Sequence, residues 1–264
     1  MLRLPDVTLV AIDTRWPQLA LTSLYRSMGQ VEFGAIKLIH SNDYSVREGC
    51  IESCIIPSLK SAEEYSRFVL KGLSPFVSTE YVLITQWDSW VVDSSKWSDE
   101  FLSYDYVGAP WPNCSPHLSV GNGGFSLRSR RALAFGESAD FYKIHPEDVM
   151  LIAKHAKLGS MSPIKVAPLD VARRFSFERP LSNAYLQVIP EVFGFHGLFN
   201  IPFFLDKSEV YDFLRLLPES TRETIDFRDL VMIHELERSR LPWQPVSKTT
   251  SLRKLIKKIS RLKH

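Results

Sequence analysis

The first 93 residues alternate in pattern, and that alternation narrows the fold more than any other feature of the chain. VTLVAID (7–13) is a short apolar, β-rich run bounded by Pro5–Asp6 and Thr14–Arg15, the signature of a buried parallel strand. QLALTSLYRSM (18–28) has apolar residues at 19, 21, 24, 25 and 28, which is helical spacing. GAIKLIHS (34–41) reads as a second strand, residues 62–73 as a second helix carrying Tyr65, Phe68, Val69 and Leu73, and TEYVLITQWDSWVVD (79–93) as a third strand ending in a polar cluster. Strand, helix, strand, helix, strand predicts an α/β domain with a mostly parallel sheet flanked by helices. In such sheets ligands bind outside the carboxyl ends of the strands. Asp13, Thr14 and Arg15 after the first strand, and Gln86 and Asp88 after the third, are therefore expected to face one crevice.

With 264 residues the chain can bury a sizeable core, and 45% hydrophobic against 23% charged residues excludes a disordered or low-complexity class. It contains no run of about 18 uncharged apolar residues, so no membrane-spanning helix is expected. The N-terminal MLRLPDVTLVAIDTR carries Asp6 and Asp13 and lacks a small-residue cleavage site, which reads as a strand rather than a signal peptide. Cys50, Cys54 and Cys114 are too few, and odd in number, for a disulfide scaffold; with no second ligand pair near Cys50 and Cys54, zinc is not expected. These features suit a cytoplasmic protein.

Charge is unevenly spread. Residues 248–264 hold seven basic side chains and no acid, which leaves 25 basic against 30 acidic residues, a net charge of −5, in the rest. A body of that sign argues against nucleic acid as a partner. SLRKLIKKISRLKH (251–264) puts Leu252, Leu255, Ile256, Ile259 and Leu262 on one helical face and the cations on the other, the pattern of an interfacial helix drawn to anionic lipid. The expected division is a domain over 1–247 and a basic amphipathic tail over 248–264, with peripheral attachment at the inner face of the membrane. Residues 209–237 read as helical and polar.

The second half is richer in Gly, Pro and aromatics: FLSYDYVGAPWP (101–112), VGNGGFSLRSRRAL (120–133), HPEDVMLI (145–152), the strand-like PIKVAP (163–168), ARRFSFE (172–178) and FGFHG (193–197). GNGG lacks the spacing and the Lys-Ser/Thr of a P-loop, no dinucleotide fingerprint follows the first strand, and no GxSxG elbow occurs. Kinase, ATPase, dehydrogenase and serine-hydrolase chemistry are thereby disfavoured. What remains is a set of acids and one His in glycine-flanked loops. Carboxylate plus imidazole suits Mn²⁺ or Mg²⁺, which in turn suits a diphosphate leaving group.

TQWDSWVVD, YDYVGAPWP, GNGGFSLRSR, PEDV and FGFHG, in that order, resemble an uncharacterised bacterial and fungal family of glycosyltransferase-like domains. More distantly they are similar to GT-A enzymes of the β-1,3- and β-1,4-galactosyltransferase type, over residues 5–200. The resemblance implies a Rossmann-like GT-A sheet, a nucleotide sugar at the strand ends and a DxD motif holding a divalent metal, Mn²⁺ or Mg²⁺, on the diphosphate. By that resemblance Asp88 matches the metal-ligating acid of DxD, while Gln86 stands where its first acid belongs and adds no charge to the ion. His196 matches the late His that completes the metal site. GNGGFSLRSR matches the segment lining the donor sugar, where Gly121, Gly123 and Gly124 allow main-chain amides to approach the ligand and Asn122 adds a side-chain amide. Asp148 in PEDV matches the catalytic base, with Glu147 supporting it; Pro146-Glu147-Asp148 is also good helix-start chemistry. Trp111 and His145 are candidate acceptor contacts. Any one of Arg128, Arg130 and Arg131 is expected on the exposed surface.

The expected activity is inverting, metal-assisted transfer of a sugar from a nucleotide-sugar donor to a hydroxyl of a glycan or lipid-linked glycan acceptor, in surface polysaccharide or lipopolysaccharide synthesis. Two alternatives stand beside it. A sugar nucleotidyltransferase should carry a Gly-rich pyrophosphate loop after the first strand, and TRWPQLA offers none. A non-catalytic carbohydrate- or membrane-binding module is kept open by Gln86.

Overall fold

The computed structural model describes residues 1–41, 49–112, 114, 118–139, 141, 143–179 and 191–217. Strand β1 (Leu2–Ile12) leads through helix α1 (Pro17–Met28) to β2 (Val31–His40) and the short edge strand β3 (Glu52–Ile55). Helix α2 (Ala62–Lys71) then returns the chain to β4 (Tyr81–Thr85). After β5 (Ser89–Val91) come β6 (Tyr106–Gly108), β7 (Phe125–Ser129) and helix α3 (Arg130–Glu137). Helices α4 (Glu147–Leu158) and α5 (Leu169–Phe175) and strands β8 (Ser176–Phe177) and β9 (Gly194–His196) complete the unit that spans Met1–Asn200.

Six strands form the main sheet in the order β3-β2-β1-β4-β7-β6. The first four are parallel, and β7 alone runs antiparallel to its neighbours β4 and β6. This is the expected α/β class. The central strands read as continuous apolar runs because both faces of the sheet are covered. Leu9, Ala11, Leu38 and Leu83 enter one core with Ala20, Leu21 and Leu24 of α1. Val10, Ile12, Ile39, Val82 and Ile84 enter the other with Val69 of α2. Each Leu, Ile or Val among them, fully buried, contributes about 1.5–3 kcal/mol.

Strand order reverses between β1 and β4: the chain steps outward from β1 to β2 and β3, then crosses back by α2 to the far side of β1. That reversal is a topological switch point, and the crevice at the strand ends there is the natural ligand site of such a sheet.

Two local expectations, for residues 79–93 and 163–168, are corrected. Residues 79–93 form two strands, not one: a turn at Gln86–Asp88 separates β4 from β5, which joins a second, three-stranded sheet, β5-β9-β8. GNGG leads into strand β7, and the helix follows only at Arg130, with Ser129 Oγ accepting from Ala132 N–H as its cap. PIKVAP contributes a single bridge, Val166 to Tyr106, while Lys165 N–H donates to Asp105 Oδ2 at 2.8 Å instead of extending a ladder. Residues 172–178 split into the end of α5 and β8.

The second unit spans Ile201–His264. Within it α6 (Ile201–Phe204) precedes α7 (Lys207–Leu216), which opens on a capping box between Asp206 and Glu209. The remainder of the expected 209–237 helix and the basic tail 248–264 lie outside the described residues.

Candidate active site

Ile12, Asp13, Thr14, Arg15 and Trp16 from the end of β1, Leu59, Ser61, Ala62 and Tyr65 from around the start of α2, and Gln86 and Trp87 after β4 line a cavity of about 210 Å³ at the switch point. Of the residues expected to share one crevice after the first and third predicted strands, Asp13, Thr14, Arg15 and Gln86 line this cavity, while Asp88 lies outside its lining. Within it Asp13 shapes the turn into α1: its Oδ1 accepts from Arg15 N–H at 2.8 Å and Trp16 N–H at 2.6 Å. Burial pushes the Asp13 carboxyl upward in pKa against those two bonds. Thr14 Oγ1 accepts from Leu59 N–H at 2.9 Å, and the Arg15 guanidinium lies over the Trp16 ring at 4.4 Å. Aromatic walls and an exposed cation at a strand end suit a flat, anionic ligand.

The turn at Gln86–Asp88 is held from below. Gln86 N–H donates to Gly124 O at 3.0 Å and to Ser89 Oγ at 2.8 Å, while Ser23 Oγ of α1 and Thr85 Oγ1 lie 2.7 Å apart beneath it. Gln86 then joins the cavity to a charged cluster. Its Nε2 donates to the Tyr65 hydroxyl at 3.1 Å, and its Oε1 lies 3.1 Å from His196 Nε2.

Asp88 and His196 come together because β5 pairs with β9, with Ser89 opposite His196. Asp88 Oδ2 accepts from Leu198 N–H at 3.1 Å, while Oδ1 faces His196 Nε2 at 3.6 Å. Behind the ring, Glu178 Oε1 lies 3.4 Å from His196 Nδ1. Sequence reasoning passed over Glu178, and its only local signal is an acid just after a short apolar run. The parallel register of β8 on β9, Phe177 opposite Phe195, carries the next residue, Glu178, to His196. Burial works against a charged imidazole here, but Asp88 and Glu178 outweigh it and push the His196 pKa up to about 9.

Among the described residues no set of three or more His, Cys, Asp and Glu side chains is grouped to hold a metal ion. The donor chemistry nonetheless fits a hard divalent cation. Asp88 Oδ1 is buried without a hydrogen-bond partner, and it and Gln86 Oε1 both approach His196 Nε2. A carboxylate behind a ligating imidazole is the usual outer support of such a ligand. Two protein ligands and an amide oxygen suit an ion that keeps several water or phosphate oxygens.

The glycine segment runs between this cluster and α4. A Cβ on Gly124 would lie 2.2 Å from His196 Nε2, and one on Gly123 would lie 2.4 Å from Glu147 Oε1. A side chain at either position would force His196 or Glu147 to move. The expected use of the segment's amides is corrected: all four N–H groups are engaged inside the protein. Gly121 and Asn122 donate to Ala109 O at 3.3 and 3.2 Å, Gly123 to Asp148 Oδ2 at 2.9 Å, and Gly124 to Asn122 Oδ1 at 3.1 Å. Asn122 is buried in that role. The glycines thus let charged side chains close in from both sides.

Asp148 stands in the first turn of α4, where the helix dipole favours an anion. Burial and the neighbouring Glu147 charge nevertheless push its carboxyl up to about 6, against bonds from Val149 and Gly123 N–H and the charge of Arg128. Glu147 is not open to a ligand. Both of its oxygens accept from Arg128, Oε1 from Nη2 at 2.8 Å and Oε2 from Nη1 at 2.9 Å, with both side chains buried. The expectation of an exposed Arg128 is overturned by the inward-facing register of β7, whereas Arg130 and Arg131 are exposed. Trp111 packs over Gly121, and His145 Nδ1 is 2.9 Å from Ser66 Oγ of α2.

Residues 51–196 match a family described as a protein of unknown function (DUF5672). No curated protein matches the chain. Among solved structures, the chain is similar to galactosyltransferase LgtC in complex with donor and acceptor sugar analogs, at 13% identity and a TM-score of 0.48, covering 83% of this chain and 100% of that one.

Proposed function

Because the chain belongs to the DUF5672 family, whose description assigns no activity, we propose from the site itself that it is a nucleotide-sugar-dependent glycosyltransferase of GT-A type. It moves a hexose to a hydroxyl of a glycan or lipid-linked glycan acceptor, with inversion, in surface polysaccharide synthesis. The observation that carries the reading is the pairing of Asp88 Oδ1 with His196 Nε2 at 3.6 Å, bridged by Gln86 to the switch-point cavity.

The cavity residues Asp13, Thr14, Arg15 and Gln86 bind the nucleotide, with Trp16, Tyr65 and Trp87 offering ring faces to a base. Asp88 and His196, with the Gln86 amide oxygen beside them, would hold Mn²⁺ or Mg²⁺, which supplies positive charge for a departing diphosphate. Segment 121–124 shapes the wall against which the sugar lies. Asp148 takes the proton of the acceptor hydroxyl as that oxygen attacks the anomeric carbon and the bond to the nucleoside diphosphate breaks. A carboxyl with a pKa of about 6 is largely ionised near neutral pH and still basic enough for the task. A basic tail over 251–264 would bring the enzyme to a membrane surface carrying a lipid-linked acceptor.

A second reading, a non-catalytic carbohydrate-binding module, is favoured by one observation: Gln86 leaves Asp88 as the one carboxylate facing His196 Nε2 across this turn. Thermal-shift titration with nucleoside diphosphates and nucleotide sugars, with and without Mn²⁺, finds the donor, since a ligand of the folded form raises the melting temperature. Release of nucleoside diphosphate from that donor separates the readings. The transferase releases it and loses that ability in Asp88→Ala and Asp148→Asn; a module binds and never releases it.

A further inference from the structure

We propose that the buried Arg128–Glu147 pair is a positioning device that closes a ring of contacts and locks the Asp148 carboxylate against Gly123. The ring runs through five residues. Gly123 N–H donates to Asp148 Oδ2 at 2.9 Å, and Ser126 Oγ donates to Gly123 O at 3.1 Å. Arg128 Nε donates to Ser126 Oγ at 3.1 Å, and its two terminal nitrogens donate to Glu147 at 2.9 and 2.8 Å. Glu147 precedes Asp148 on α4, which closes the circuit between β7 and the helix start.

The side chains of Arg128 and Glu147 are 1% and 7% exposed. A pair this deep gains little net stability, because desolvating both ions offsets their attraction. What it supplies is geometry. The guanidinium uses three donors in one plane, two on Glu147 and one on Ser126, a fork that a lysine ammonium cannot reproduce. Arg128 Cζ lies over the Tyr106 ring, 4.9 Å from its centroid, and the Tyr106 hydroxyl donates to Gly121 O at 2.6 Å, tying the same glycine segment from β6. Arg128 thereby acts on Asp148 through Glu147 on one side and through Ser126 and Gly123 on the other.

The ring also sets the charge balance around Asp148. The ionisable groups that face it are Glu147 on its own helix, Arg128 on β7, Tyr106 on β6 and His196 on β9. Glu147 raises its proton affinity and Arg128 lowers it. Breaking the pair from either side leaves the remaining charge unbalanced, and the two breaks have opposite signs. The catalytic consequence rests on the proposed role of Asp148 as base, whereas the ring does not depend on it.

The test follows the amide of Gly123 by ¹⁵N–¹H NMR of the full chain through a pH series, since that N–H reports the charge on Asp148. In the parent protein the amide should titrate with a midpoint of about 6. Glu147→Gln keeps the shape and an acceptor but removes the charge, and should lower the midpoint by about one unit or more. Arg128→Lys keeps the charge but loses the fork, and should shift the Gly123 resonance and shrink its titration amplitude. Arg128→Met/Glu147→Leu buries no charge and carries the same measurement if Glu147→Gln does not fold; its Gly123 amide should likewise lose amplitude. Unchanged midpoint and amplitude in the folded variants would overturn the proposal and leave the pair with a purely structural role. Failure of the base reading looks different: Asp148→Asn would keep releasing nucleoside diphosphate while the Gly123 titrations of the other variants still moved as stated.

Discussion

His196 Nε2 lies 3.6 Å from Asp88 Oδ1, with Glu178 Oε1 3.4 Å from the opposite ring nitrogen. An imidazole between two carboxylates holds its proton tightly, and that proton is the ion's competitor for the same nitrogen. On the proposed function, protein stability, metal affinity and donor binding are therefore coupled through one side chain.

Stability should fall as pH rises through the window between the free and the folded His196 pKa. The folded value is raised from 6.5 to about 9, so the folded state holds an extra proton between them. The contribution is fully present below pH 6.5 and is lost as pH climbs through about 9, amounting to about 3 kcal/mol. Urea denaturation at stepped pH measures this, and His196→Gln should flatten the slope. An equally steep slope in that variant would assign the effect elsewhere.

Mn²⁺ affinity should move the opposite way. Binding must displace the imidazole proton, so the dissociation constant should tighten about tenfold per pH unit below the His196 midpoint. Asp88→Asn should weaken binding further than Gln86→Ala does, because it removes charge as well as an oxygen. Calorimetric titration at pH 6.5, 7.5 and 8.5 checks both statements. A pH-independent affinity would show that the ion, if bound, avoids His196.

For Asp148→Asn, turnover should fall by about 10²–10⁴-fold with the donor still bound. If the chain is the proposed transferase, its kcat/KM should rise with pH through a midpoint of about 6, as the Asp148 carboxyl ionises. The same substitution should not harm folding above that pH, where the buried charge is unfavourable. A rate profile lacking the rise would remove Asp148 from the role of base.

Gly124→Ala should disable the cluster without disturbing the main core. The added methyl would sit 2.2 Å from His196 Nε2 and displace the ring from Asp88. Overpacking of this kind costs about 1–3 kcal/mol. Loss of the Mn²⁺-dependent thermal shift, with an otherwise native circular dichroism spectrum, is the expected result. Retained metal response would mean that the ring has room to retreat and still ligate.

Gly123→Ala offers a contrast on the other face of the segment. Its methyl would meet Glu147 Oε1 at 2.4 Å and Arg128 Nη2 at 3.0 Å, so the ion pair must part or the helix start must move. Turnover should fall while Mn²⁺ still raises the melting temperature. Loss of both responses together would show that the two faces of the segment do not act separately.

The early strands and helices were legible because their signals are local. Apolar residues at helical spacing in 18–28 and mostly apolar, β-rich runs in 7–13 and 34–41 each follow from burying one helix stripe or both faces of a strand. Asp13, Gln86 and Asp88 were legible as strand-end residues for the same reason. The break at Gln86–Asp88 was hidden, since VLITQWDSWVV stays apolar on both sides of the turn and spacing alone does not say that the chain changes sheets. Arg128 was misjudged because Arg130 and Arg131 surround it with surface chemistry, and the buried face of β7 is set by pairing with β4 and β6.

From its residues alone, then, this chain declares a two-faced parallel sheet and the acids at its strand ends, because hydrophobic burial leaves a periodic trace in the neighbouring sequence. The meeting of His196 with Asp88 and Glu178, the enclosure of Glu147 by Arg128 and the inward use of the glycine amides were decided by tertiary pairing. Each joins residues far apart in the chain through strand register or buried charge, and such contacts leave no periodicity to read.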